Sequence, residues 1–149
     1  TEQNVKIGYS TEGHGEKILL LIHGYPQTSL AWRRMIQPLT EAGFKLIIPD
    51  MRGAGRSSRP VCGYDKKTLA SDMVSILNEQ QISGPVYVAG HDIGMMVAFA
   101  MGAFSRSVLK SWFLWRRQFR VRLVLILRMR MIHVAGTSIS IRQEMFRRH

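Results

Sequence analysis

Residues 85–100 hold the strongest constraint in the chain. The apolar run Pro85-Val86-Tyr87-Val88-Ala89 passes straight into Gly90-His91-Asp92-Ile93-Gly94, and Met95 to Ala100 then reads as helix. A strand can become a helix in so few residues only if the corner residue takes a strained backbone conformation and the residues two positions away on either side are small enough not to collide. Gly90 and Gly94 meet that need, with Asp92 at the centre. A strand feeding directly into a helix is the repeating unit of α/β architecture, so this segment argues against an all-helical or an all-strand fold.

The first two-thirds of the chain repeat the pattern. Lys17-Ile18-Leu19-Leu20-Leu21-Ile22 ends in His23-Gly24, and Lys45-Leu46-Ile47-Ile48-Pro49 ends in Asp50. Apolar runs without alternation suit strands covered on both faces, as in a mostly parallel sheet with flanking helices. Between them, Ser29 to Ala42 (Leu30, Trp32, Met35, Ile36, Leu39) and Thr68 to Gln80 (Leu69, Met73, Ile76, Leu77) space their apolar residues as helices do, with Gly43 and Gly84 as the expected stops. Val5 to Tyr9 is expected to form an antiparallel edge strand. After Phe104 this alternation gives out: no Pro follows Pro85, and Gln118 to Met131 mixes apolar residues with Arg in a pattern suiting neither a buried parallel strand nor a clean helix face. The expected division is an incomplete α/β core over residues 1–104 and an atypical basic segment of uncertain structure over 105–149.

Charge marks the same division. The formal net charge is +11, yet residues 1–104 hold ten Lys/Arg against nine Asp/Glu, whereas 105–149 hold eleven Lys/Arg and Glu144 alone. A surplus of this kind acts on polyanions through the local field rather than through the total. A lone Cys62 cannot close an intrachain disulfide, and the N-terminal residues lack the basic, apolar and small-residue regions of a secretory leader, so a reducing, cytoplasmic setting is expected. Leu123-Val124-Leu125-Ile126-Leu127 is far shorter than the roughly 18 to 20 apolar residues that span a bilayer, and no transmembrane segment is expected.

Asp92 carries the chemistry. At neutral pH a carboxylate is already ionised, and at a helix N-terminus it can attack an sp³ carbon without an activating base, giving an alkyl ester that must then be hydrolysed. A plainer role is also open, since Asp is a good helix N-cap. The turn, together with His23-Gly24-Tyr25-Pro26, Trp32 and Asp50-Met51-Arg52-Gly53-Ala54-Gly55-Arg56-Ser57, resembles the α/β-hydrolase superfamily, and within it the aspartate-nucleophile branch of epoxide hydrolases and haloalkane or haloacetate dehalogenases. The resemblance covers residues from about 5 to 104, and the ordered set of motifs is more specific than any one of them.

The resemblance implies that Asp92 is the nucleophile of this elbow and that the backbone N–H groups of Tyr25 and Ile93 form an oxyanion hole. It implies supporting roles for His23, Gly24, Pro26, Asp50, Arg52, Gly53, Gly55, Gly90, His91 and Gly94. His91 is expected to be a packed turn histidine rather than a base, and His23 to shape its loop by local hydrogen bonds. No metal and no cofactor are implied. Ile93 stands where many dehalogenases carry a halide-binding Trp, which favours an epoxide over a halogenated small molecule as substrate.

The family's later parts are not recognisable: no Tyr follows Tyr87 to protonate the epoxide oxygen, and Glu144, His133 and His149 are the only acid and histidines after Asp92. Without a base a carboxylate is alkylated once, so the chain as written is expected to be truncated and inactive in turnover, with a reading-frame disruption near residue 103 as the favoured cause. The competing account is a basic protein that binds membranes or nucleic acid on a degenerate hydrolase half, using Trp112, Phe113, Trp115 and Phe119 among the arginines. No specific nucleic-acid partner is expected, and the sequence leaves the oligomeric state open. A sheet stopping after the elbow helix would leave backbone groups unpaired, so a marginal or aggregation-prone chain is also expected.

Overall fold

A six-stranded sheet in the order β1-β3-β2-β4-β5-β6 organises the chain. The structure is a computed structural model that describes residues 5–104 and the backbone of two further strands, 109–116 and 123–127. Along the chain run β1 (Tyr9–Glu12), β2 (Lys17–Ile22), α1 (Arg33–Glu41), β3 (Phe44–Pro49), α2 (Lys66–Glu79), β4 (Val86–His91), α3 (Ile93–Phe104), β5 (Leu109–Arg116) and β6 (Leu123–Leu127). β2 pairs in parallel with both β3 and β4, and β4 pairs in parallel with β5; β1 and β6 are antiparallel at the two edges.

The central strands read as unbroken apolar runs because both faces are covered. In β2, Leu20 and Ile22 face a cluster made with Leu69, Met73, Leu77, Val97 and Met101 of α2 and α3, while Leu19 and Leu21 face Trp32, Ile36 and Leu39 beside α1. The two-residue alternation of a strand sends neighbours to opposite layers. Burying these side chains contributes roughly 1.5–3 kcal/mol each.

Several local expectations need correction. The edge strand lies at Tyr9–Glu12 rather than Val5–Tyr9. Residues 6 and 8 instead bond to the turn after β3: Ser58 N donates to Lys6 O, Gly8 N to Ser57 Oγ, and Asp50 N to Gly8 O. The first helix starts as a 3-10 turn over Ser29–Trp32, and within its expected apolar face Leu30 is 70% exposed. α2 begins at Lys66 because the Asp65 side chain accepts the Thr68 N–H and caps it. Its stop is Gln81, not Gly84: Gln81 takes φ 55°, Ile82 N donates to Leu77 O and Gln81 N to Asn78 O, which is a Schellman ending built on glutamine. Gly43, at φ 82°, ends α1 as expected.

The sheet does not stop after α3. β5 joins β4 in parallel, and β6 returns against β5 over Leu123–Leu127. Within the stretch from Gln118 to Met131, Leu123–Leu127 is an antiparallel strand at the sheet edge, sharing only one side with the sheet. His133, Glu144 and His149 lie outside the described residues, as do the side chains of Trp112, Phe113, Trp115 and Phe119.

Candidate active site

β4 runs straight into α3 with Asp92 alone between them. Asp92 sits at φ 54°, in the left-handed region that a residue with a Cβ adopts at a cost, and its carbonyl still accepts the Met95 N–H that opens the helix. The corner is held by close approach. A Cβ on Gly94 would lie 2.3 Å from the Ile22 carbonyl oxygen and 2.5 Å from that of His23, and one on Gly90 would lie 2.3 Å from the Gly94 oxygen. The absent side chains let α3 start against the end of β2 and set Asp92 beside the loop after β2.

That loop supplies Tyr25. Tyr25 is 77% exposed, and its N–H donates to Asp92 Oδ2 at 3.0 Å. Gly24 is where the elbow leans on the loop, since a Cβ there would fall 2.7 Å from Asp92 Cβ and 2.9 Å from His91 Nδ1. The Tyr25–Pro26 peptide is cis. The Tyr25 amide, then the Ile93 amide and the nearby His91, hold the Asp92 carboxyl below its ordinary 3.8, against the opposing effect of burial. Asp92 is exposed at the surface and ionised at neutral pH.

A hydrogen-bonded frame lies behind. His23 is buried, at 2% exposure, and its ring makes two bonds: Nδ1–H donates to Gly24 O at 2.8 Å, and Nε2 accepts from Met51 N at 3.0 Å. A carbonyl can only accept and an amide only donate, so these bonds define the neutral Nδ1–H tautomer. Asp50, equally buried, accepts from Ser29 N at 2.7 Å and from Arg56 N at 3.1 Å. Burial drives its carboxyl upward, and these bonds with Ser29 and Arg56 outweigh that and hold it below 3.8. Ser57 Oγ closes the turn onto Asp50 O at 2.5 Å. Gly53 and Gly55 take φ 84° and 48°, and the second presses on the Asp50 carboxylate.

Arg52 leaves this centre. It forms a two-pronged ion pair with Asp72 on α2, at 2.7 Å and 2.6 Å, which raises its own pKa. Asp72, Ser29 and the Met51 amide were not legible as site residues: Asp72 is twenty residues from Arg52 on a helix with no local signal of pairing. The loops after β2 and β3 enclose a cleft of about 530 Å³ lined by His23, Tyr25, Met51, Arg59, Tyr64 and Ile93, among others. Among the described residues, no group of three or more His, Cys, Asp or Glu could hold a metal, and no helix is long and apolar enough to cross a membrane.

Known proteins are similar to this chain in sequence and fold. The soluble epoxide hydrolase of Corynebacterium sp. (strain C12) is 38% identical over 109 residues, 73% of this chain and 37% of that protein. Epoxide hydrolase A of Mycobacterium tuberculosis is 38% identical over 87 residues, 57% of this chain and 27% of that protein. In the solved structure of the epoxide hydrolase CorEH, the likeness has a TM-score of 0.70 at 36% identity and covers 74% of this chain and 38% of that one. This chain thus spans little more than a third of these relatives' length at most. The alpha/beta hydrolase fold model matches residues 17–114, from the first residue of β2 into β5, and on that match the chain belongs to the α/β-hydrolase family.

Proposed function

We propose that this chain carries the nucleophilic half of an epoxide hydrolase. The observation behind the reading is Asp92 at φ 54° with Oδ2 on the Tyr25 N–H at 3.0 Å. Oδ2 is engaged by the amide, which leaves Oδ1 to attack. The Oδ1–carbon bond forms as the ring carbon–oxygen bond breaks; the ring oxygen takes the electron pair as an alkoxide and a proton from water or an acid. Oδ2 then becomes the carbonyl oxygen of the ester. When water adds to Cγ, negative charge develops on Oδ2, to which the Tyr25 amide already donates, and the Ile93 amide beside the carboxyl is the second donor in this reading. Hydrolysis returns Asp92 and releases a diol.

The second step needs a base and an acidic partner for it. His23 is committed on both ring nitrogens, and His91 adjoins the nucleophile. We therefore propose alkylation without turnover for residues 1–149, with a partial core that runs on into β5, where the family match ends at residue 114, and a segment replaced by a frame change beyond it. Nucleotide sequence from upstream of the Phe104 codon, translated in all three frames, tests the last point: a frame continuing into a Tyr-bearing region with a late Asp and His supports it. A reducing, cytoplasmic setting suits the exposed Cys62.

The chemical test is intact-protein mass spectrometry after incubation with styrene oxide. One added epoxide, mapped to Asp92 and absent from Asp92→Asn, is expected; Asn tolerates the left-handed corner, so the variant keeps the turn. An unmodified wild-type protein, or a label elsewhere, refutes the nucleophile. The same experiment with 1-bromobutane addresses the dehalogenase alternative, for which faster labelling by the bromide than by the epoxide is the deciding result.

A further inference from the structure

We infer that His23 is a positioning residue that aims the oxyanion amide by holding the opposite end of the same peptide. The N–H of Tyr25 and the carbonyl of Gly24 belong to one planar trans unit and point in opposite directions. Whatever fixes the carbonyl therefore fixes the direction of the N–H. The carbonyl accepts the His23 Nδ1–H at 2.8 Å, and the N–H reaches Asp92 Oδ2 at 3.0 Å. Gly24 O also accepts the Gln27 N–H at 2.9 Å, but Gln27 belongs to the same loop and moves with it. His23 differs because Nε2 takes the Met51 N–H at 3.0 Å, which references the peptide to the turn after β3. The ring is a buried strut between two loops, and a shift of either loop is transmitted to the amide that faces the nucleophile. The inference rests on reading Tyr25 as an oxyanion donor to Asp92.

The two ring nitrogens can be replaced separately. Asn places an amide N–H near the position of Nδ1 and keeps the Gly24 bond; Gln places an amide oxygen near Nε2 and keeps only the Met51 bond. In the full chain, the Tyr25 amide proton should follow the titration of the Asp92 carboxyl in two-dimensional NMR, because it donates to that group. His23→Phe should abolish this response and move the Asp92 titration upward, because the largest of the effects holding it down is lost. His23→Asn and His23→Gln each keep one end of the strut only, so both should weaken the response. A folded His23→Phe protein whose Tyr25 amide still follows Asp92 overturns the inference. If His23→Phe does not fold, the Asn and Gln pair decides, and a full response in either folded variant overturns it. A merely structural histidine lowers stability in these variants and leaves the response of the folded protein intact. Absence of the styrene oxide adduct in a wild-type protein whose Tyr25 amide does follow Asp92 refutes the nucleophile and leaves the strut standing.

Discussion

Replacing Gly94 with alanine sets two effects of opposite sign against each other. Gly94 is the second residue of α3, and in a helix alanine is favoured over glycine by about 1 kcal/mol. Propensity alone thus predicts a gain. The new Cβ, however, falls 2.3 Å from Ile22 O, 2.5 Å from His23 O and 2.8 Å from Ile22 C, all backbone atoms of a central strand and its end. Reaching an ordinary contact of 3.4 Å from 2.3 Å needs about 1.1 Å of movement, which a strand paired on both sides does not supply, so α3 must lift away. Overpacking of this kind costs about 1–3 kcal/mol or more, and the backbone clash places this site at the upper end. The net expectation is a loss of about 2 kcal/mol. With a urea dependence of about 1–3 kcal/mol per molar for a protein of this size, the midpoint falls by about 1 M. Asp92 is two residues away, so the lift also breaks the 3.0 Å bond from Tyr25 and slows labelling by styrene oxide. Gly84→Ala is the control, because a Cβ there meets nothing within 4 Å; it is expected to gain about 0.4–1 kcal/mol from the unfolded state alone. A Gly94→Ala protein with an unchanged or raised midpoint refutes the close-approach argument.

Three further outcomes follow from the same geometry. Arg52→Met alone leaves the Asp72 carboxylate, 13% exposed, without its partner and should cost about 3 kcal/mol, whereas the Arg52→Met/Asp72→Leu double variant should recover most of it; a double-mutant cycle in urea with no coupling refutes the pair's importance. Gln81→Gly should raise stability by about 0.5 kcal/mol, because the relief at φ 55° exceeds the added freedom of the unfolded chain, and a lower thermal midpoint counts against this. Asp50 is held below 3.8 in the folded state, so the unfolded chain binds its proton more readily; its contribution is complete above 3.8 and is lost as pH falls through the folded value. Urea midpoints should therefore drop on acidification below about pH 4, and Asp50→Asn should flatten that drop, while an equal slope in both proteins argues against a role for Asp50.

The elbow was legible because its requirements are local. Gly90, Asp92 and Gly94 lie within five residues, and a strand becoming a helix in that space leaves few alternatives for which residues can stand there. The unbroken apolar runs at 17–22 and 45–49 likewise announced strands covered on both faces. The ends of elements were read less well. Gly84 looked like a helix stop, yet the chain turns at Gln81, because two backbone bonds to Leu77 and Asn78 hold a glutamine in a conformation that propensity assigns to glycine. The strands at 109–116 and 123–127 were hidden for a related reason. A strand's place in a sheet depends on the neighbour it pairs with, and the composition of a basic stretch does not name that neighbour.

By itself, then, the sequence determined the α/β class, the corner that exposes Asp92 and the order of the three motifs, since each depends on residues within one turn or one period of each other. Only the tertiary structure decided which groups meet. It brought Met51 N to a ring 28 residues away, Tyr25 N to a carboxylate 67 residues away, and Arg52 to Asp72, pairings that exist because parallel strands deliver their C-terminal loops to one edge of the sheet. No spacing rule encodes those encounters; the strand order does.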